Sequence, residues 1–207
     1  MRTVNINGND HVIGSSRGQA RPQGLTPGLP AETKYILLHT SHPLKKKDKE
    51  VLAVKDVRIQ EYVSPATYIC AYSGKSLETV EKLPFIFTAE EYPDSVVVHK
   101  ELQDAASGSQ SARTIDITLH SDAKGDFELK KTIANLADID VDKVEGDGGK
   151  ITVTVPPGAL GAVAEIEAVR YIHEAHPPRL VNKIARNIIQ GNGEIGSVAY
   201  KGAGQDE

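Results

Sequence analysis

A set of short sequence patterns occurs twice along this chain, and that repetition constrains the fold more than any other feature. Ile36-Leu37-Leu38-His39-Thr40 returns as Ile117-Thr118-Leu119-His120-Ser121. Leu77, Val80 and Leu83 return as Leu160, Val163 and Ile166, and Glu90 to Pro93 returns as Glu174 to Pro177. Self-similarity of this kind marks two copies of one supersecondary unit. With 207 residues to distribute, the reading is two small units of about 65 residues, over 34–98 and 113–177.

Within the first copy, Lys34-Tyr35-Ile36-Leu37-Leu38-His39 is a short apolar run suited to a buried central strand. A helix over Leu44 to Val54 follows, with Leu44, Val51 and Leu52 on one face. Val57 to Val63 and Thr67 to Tyr72 flank the turn Ser64-Pro65-Ala66 as a hairpin. Ser76 is placed to cap a second helix, Pro84 stops it, and Phe85 to Tyr92 is the last strand. The second copy repeats this order. Ile115, Ile117 and Leu119 alternate with Asp116, Thr118 and His120, as in a strand with one face buried. Asp126 caps a helix bearing Leu129, Ile133, Leu136 and Ala137, and Val141 to Val155 forms a hairpin around Asp147-Gly148-Gly149. Pro156-Pro157 opens a helix with Leu160, Val163 and Ile166, and Tyr171 to Ala175 closes the sheet. The expected class is therefore α+β: two tandem ferredoxin-like (β-α-β-β-α-β) units with antiparallel sheets, plus a C-terminal amphipathic helix. One sheet face of each unit is left uncovered by its own helices, and such a face ordinarily meets a partner or a neighbouring domain.

The flanks read differently. Residues 1–33 are rich in glycine and proline with little apolar periodicity, and are expected to be a flexible arm. Residues 99–112, with Ala105-Ala106-Ser107-Gly108-Ser109, read as a linker. Residues 178–207 read as an amphipathic helix carrying Leu180, Val181, Ile184, Ala185 and Ile188, then a glycine-rich tail. Lysine plus arginine number 24 against 28 acidic residues, which excludes a strongly basic nucleic-acid binder. Long apolar runs are missing, which excludes a membrane-spanning helix. The first residues lack the apolar core of a secretory signal, so the expectation is a leaderless, cytoplasmic protein, or a secreted one whose leader has been removed. The single cysteine, Cys70, lies among Tyr68, Ile69 and Ala71 and reads as core packing.

Motifs that carry chemistry fail on context. Gly191-Asn192-Gly193-Glu194-Ile195-Gly196 matches G-x-G-x-x-G, but a helix precedes it where a dinucleotide site needs a strand, so no cofactor is expected. Asp138, Asp140 and Asp142 have calcium-loop spacing, but Lys143 and Gly149 stand where glycine and glutamate are required. The pairs His39/His42 and His173/His176 fall at strand ends with no carboxylate or cysteine cluster, so they read as solvated or edge histidines and no metal is expected. No particular serine is paired with a particular histidine. Lys45-Lys46-Lys47 and Lys49 read as a solvated helix face. Tyr68 and Tyr72 alternate on a third strand as in RNA-binding units of the same order, without their basic-glycine-aromatic motif. No catalytic motif is present, so the chain is read as a non-enzyme.

Lys34-Tyr35-Ile36-Leu37-Leu38-His39 through Ala89-Glu90-Glu91-Tyr92-Pro93-Asp94 resembles the inhibitor pro-domain of subtilisin-like serine proteases, which opens on a similar strand and closes on an apolar-E-x-D ending. Two such units followed by a helix look like the N-terminal pro-region of fungal subtilisin-like proteases, with Ile59 to Val63 and Leu180 to Arg186 adding to the likeness. The protease's own G-H-G-T-H and G-T-S-M-A motifs are not in this chain, which ends in Asp206-Glu207, so no catalytic residue is carried over. The expectation is an excised pro-region, or one that persists without a protease domain.

The resemblance implies an inhibitor and folding chaperone. A sheet face docks on two surface helices of the protease domain, and sheet-edge carboxylates meet the N-termini of those helices. Glu90, Glu91, Asp94 and Glu174 are the candidates. The segment from His176 and Pro177 onward would then lie in the substrate cleft, although the helical periodicity of 180–188 competes with an extended path. Two other readings stay open: a stand-alone interaction module that kept the fold, and a small enzyme or ligand binder using the cleft between the two units.

Overall fold

Tyr35, Ile36, Leu37 and Leu38 are all buried in β3 (Lys34–Thr40), as an unbroken apolar run predicts for a strand covered on both faces. The computed structural model describes residues 2–14, 34–64, 66–74, 76–107 and 111–176. Met1–Ala175 form one compact unit, and the remainder of the chain lies outside the described residues except for His176. Before β3 come β1 (Thr3–Ile6) and β2 (Asn9–Val12). After it come α1 (Lys46–Val54), β4 (Val57–Ser64), β5 (Thr67–Tyr72), α2 (Glu78–Glu81) and β6 (Ile86–Glu91), the expected β-α-β-β-α-β order. A helix α3 (Lys100–Ser107) leads into the second copy: β7 (Arg113–Leu119), α4 (Phe127–Ala137), β8 (Glu145–Asp147), β9 (Lys150–Val155), α5 (Leu160–Ala164) and β10 (Val169–Glu174).

The strands lie side by side as β4-β5-β3-β6 in the first sheet and β10-β7-β9-β8 in the second, with every pairing antiparallel. Numbered within each unit, both sheets run fourth, first, third, second. The class is α+β with antiparallel sheets. Local signals explain the elements: the Asp126 carboxylate accepts from the Leu129 N–H at 3.0 Å and caps α4, and Asp138 ends the helix in the left-handed region. Leu129, Ile133 and Ala137 are buried as expected, but Leu136 is 40% exposed and leaves the stripe. In α1 only Leu52 is buried; Val51 turns outward.

Period-two alternation divides each sheet into two faces. On the even face of β3, Ile36 and Leu38 pack with Tyr68, Cys70, Leu52, Val80 and Phe85, between the sheet and its helices. Burial pushes the Cys70 thiol up to about 12, consistent with an inert packing group. On the odd face, Tyr35, Leu37, Ile69 and Ala71 join a second cluster containing Val4, Ile6, Val96, Val97 and Leu102. This cluster continues into the second unit through Ile115, Ile117, Ile151 and Val153 beneath Leu129, Ile133 and Val163.

Two expectations are corrected here. Residues 3–12 of the supposed flexible arm are a hairpin, turned at Asn7 and Gly8, both at positive φ (53° and 77°), with Val4 and Ile6 buried. The rest of that arm, 15–33, lies outside the described residues. The supposed linker is ordered as α3 with Leu102 buried, and the chain before it pairs with the second sheet. Val98 forms a parallel bridge with Ile172, the His99 N–H donates to the Ile172 carbonyl at 2.8 Å, and the Ile172 N–H donates to the Val97 carbonyl at 2.8 Å. The C-terminal helix, the glycine-rich tail and the G-x-G-x-x-G motif all fall outside the described residues.

The two copies meet through polar groups as well. The rings of Tyr35 and His120 stack at 3.4 Å, and Tyr92 meets His120 edge-on. The Tyr35 hydroxyl donates to Asp122 at 2.7 Å, and Asp122 also accepts from Arg58 at 3.0 Å and Gln60 at 2.6 Å. Burial and this bond to a carboxylate push the Tyr35 phenol well above its ordinary range. Arg170 and Glu61 form an ion pair beside them.

Candidate functional site

The two sheets treat their helix-free faces in opposite ways, and that contrast locates the candidate surface. In the first sheet the face is filled from within the chain. The hairpin β1–β2 lies over it, tied down by its own asparagines: the Asn7 amide donates to the Tyr92 hydroxyl at 3.1 Å and the Val96 carbonyl at 2.8 Å, and the Asn9 amide donates to the Val98 carbonyl at 2.8 Å. Its second attachment is Glu90. One oxygen of this carboxylate lies 3.0 Å from His11 Nε2 and 3.1 Å from His39 Nε2, and it accepts the Gly14 N–H at 3.1 Å. His39 Nδ1 is in turn 3.1 Å from the Thr67 hydroxyl. All four side chains are buried, Glu90 to 1% exposure.

In the second sheet the same face is polar. Direct cross-strand partners line up as His173–Asp116–Thr152–Glu145 and Tyr171–Thr118–Lys150–Asp147, two rows that each run across all four strands. Thr114 and Thr154 are hydrogen-bonded at 2.9 Å and continue the face toward one end. Asp116 is the hub: Thr152 donates to it at 2.6 Å, Lys150 Nζ lies 2.8 Å away, and His173 Nε2 lies at 4.0 Å. Burial alone would raise its pKa, but the bonds from Lys150 and Thr152 and the lysine's charge outweigh that and hold the carboxyl below its usual range. The rings of Tyr171 and His173 are 5.1 Å apart, with His99 6.0 Å from Tyr171. Thr114, Thr154 and Lys150 are exposed, and Thr118, Thr152, Tyr171 and His173 are half-buried. Such a face offers hydroxyls, two rings and one fixed ion pair to whatever covers it, a mixture suited to a separable protein interface.

The carboxylates singled out from sequence are distributed unevenly. Glu90 is a correction: its buried side chain anchors the hairpin and has no surface to offer a docked protein. Glu91, at the end of β6, is half-buried and pairs with Lys34 at 3.5 Å. Asp94 is exposed at the start of a short 3-10 turn, Asp94–Val96. Glu174 pairs with Arg113 at 3.0 Å on β10, in the other sheet. His176 is exposed just beyond β10, and Pro177 lies outside the described residues. His39 is also corrected: it is a buried partner of Glu90, whereas His42 and His173 are half-buried near the surface.

Sequence reading passed over Asp116, Lys150, Thr152, Tyr171 and His173 as a group. Their signal was present in the alternation of Thr114, Asp116 and Thr118 with Ile115, Ile117 and Leu119, which assigns the polar set to one face. Among the described residues no group of three or more His, Cys, Asp or Glu side chains is placed to hold a metal ion, and none of their helices is long and apolar enough to cross a membrane. No family model, curated protein or solved structure matches this chain.

Proposed function

We propose that this chain is a non-catalytic inhibitor and folding-chaperone pro-region of a subtilisin-like serine protease, built from two tandem ferredoxin-like units and docking through the second. The observation that carries the reading is the pair of unequal sheet faces. In the first unit the face that would dock is filled by the hairpin and by the second unit. In the second, the corresponding face is built of exposed and half-buried polar groups around the buried carboxylate of Asp116. Supporting it are the fourth-first-third-second strand order in both sheets and the likeness of Lys34 to Asp94 to such pro-domains.

In this reading the face around Thr114, Thr152, Thr154 and Tyr171 lies against the two surface helices of the protease. Asp94 and the Arg113-paired Glu174 are the carboxylates assigned to face helix N-termini, and Glu90 is withdrawn from that role. The chain leaves β10 at the edge of the same sheet and continues through His176 and Pro177, the segment assigned to the substrate cleft. The unit up to Ala175 supplies binding, and the segment after it supplies inhibition.

The experiment compares three full-fold proteins against a panel of subtilisin-like protease domains: the intact chain, a chain stopped after Pro178, and the intact chain with Thr154→Arg. Stoichiometric inhibition is expected from the intact chain, binding without inhibition from the shortened one, and loss of both from Thr154→Arg. An intact, folded chain that neither binds nor inhibits any member of the panel overturns the proposal. Recovery of only non-protease partners would favour a stand-alone interaction module instead.

A further inference from the structure

A cavity of about 290 Å³ lies between the hairpin and the first sheet, and nothing in the docking reading uses it. Thr3 and Val4 of the hairpin, with Arg2 and Ile13 flanking it, form one side, Ser64 at the end of β4 and Phe87 of β6 form the other, and His39 and Thr67 lie at its base. We propose that this cavity is a binding site for a small carboxylate carrying a short apolar body.

The charge comes from Arg2. Its guanidinium lies 4.9 Å above the centre of the Phe87 ring, and among the described residues no carboxylate lies within ion-pair distance of it. A cation–π contact with an aromatic ring holds the guanidinium while leaving N–H donors available, and a guanidinium can bind a planar carboxylate by two parallel bonds. It also accounts for Phe87, a large apolar ring left 54% exposed on an edge strand. The hydroxyls of Thr3 and Ser64 make no hydrogen bond among the described residues, so they remain as further donors.

The body of the ligand is set by the other walls. Val4 and Ile13 are aliphatic, and the base is a histidine and a threonine that already satisfy one another at 3.1 Å. A volume near 290 Å³ sits at the lower limit of small-molecule pockets. With Arg2 the one permanently charged residue among the described residues that line the site, a singly charged head with a short branched chain fits better than an inorganic phosphate, which ordinarily gathers several donors and more than one cation. Since Thr3 and Val4 belong to the hairpin and Arg2 and Ile13 flank it, joined by the Ile13 N–H to the Arg2 carbonyl at 3.0 Å, an occupant would hold the hairpin on the sheet. The site is independent of whether the second sheet docks on a protease.

The test titrates the full chain with isovalerate while following backbone amide signals by nuclear magnetic resonance, beside isovaleramide and inorganic phosphate. Saturable shifts at Thr3, Ser64 and Phe87 are expected with isovalerate, and at least tenfold weaker binding of the amide and of phosphate. Arg2→Gln, at an exposed position, is expected to keep the chain folded and to weaken isovalerate at least tenfold. No saturable shift, equal binding of acid and amide, phosphate binding as tightly as isovalerate, or an unchanged Arg2→Gln affinity would each overturn the proposal.

Discussion

The two units share one topology and one set of helix-facing letters, yet differ almost completely on the other side of their sheets. Ile36 and Leu38 correspond to Ile117 and Leu119, and all four are buried toward helices. Between and beside them, Tyr35 and Leu37 correspond to Asp116 and Thr118, and across the strand Ile69 and Ala71 correspond to Lys150 and Thr152. The helix-facing positions specify the fold, because any such unit must bury that face to be stable. The opposite positions are free to specify what the face meets. Apolar letters there recruited the hairpin and the neighbouring unit, while polar letters left a face that water can cover.

The largest expected effect breaks the contrast at equivalent positions. Leu37→Gln places an amide where a fully buried side chain packs and should cost about 4 kcal/mol. Thr118→Gln should change stability by less than about 1 kcal/mol. Urea midpoints at constant slope measure both, and equal losses would show that the second face is as closed as the first.

Next is the anchor of the hairpin. Glu90→Ala removes the acceptor shared by His11, His39 and the Gly14 N–H, and should cost about 2–4 kcal/mol. Amide exchange is expected to rise first in β1 and β2. Loosening that starts in β7 or β9 instead would refute the assignment of Glu90 as the hairpin's latch.

The smallest effect sharpens the comparison on the open face. Since Asp116 titrates below its usual range when folded, its contribution is complete once the unfolded chain's carboxylate is ionised, above about pH 4, and fades as pH falls through the lower folded value. Asp116→Asn should therefore flatten that part of the acid limb of the stability curve and leave stability differences above it nearly constant with pH. An acid limb unchanged by the substitution would mean that the bonds from Lys150 and Thr152 do not favour the ionised form.

Much of this was legible from residue order alone. The unbroken run Tyr35 to Leu38 against the alternation Ile115 to Leu119 already separates a doubly covered strand from a singly covered one. The N-terminal hairpin was also encoded, by Asn7-Gly8 between Val4, Ile6 and the following strand, but neighbouring glycines and prolines masked it as an arm. The helix α3 was hidden by the small residues at its end, although Leu102 packs in the core. What no local pattern carries is the cluster around Glu90, whose partners His11 and His39 lie 79 and 51 residues away. Such contacts follow only once both sheets and the hairpin are in place, which is also why Glu90 looked like a surface carboxylate in sequence.

Thiol labelling under native conditions tests the unequal faces most directly. Ala71→Cys places a thiol on the buried face of the first sheet, and Thr154→Cys places one on the exposed face of the second. Cys70 contributes little background, being fully buried with its pKa near 12. The Thr154→Cys protein should react at the rate of a free thiol, and the Ala71→Cys protein roughly a hundredfold or more slowly, limited by opening of the structure. Equal rates at the two positions would contradict the account.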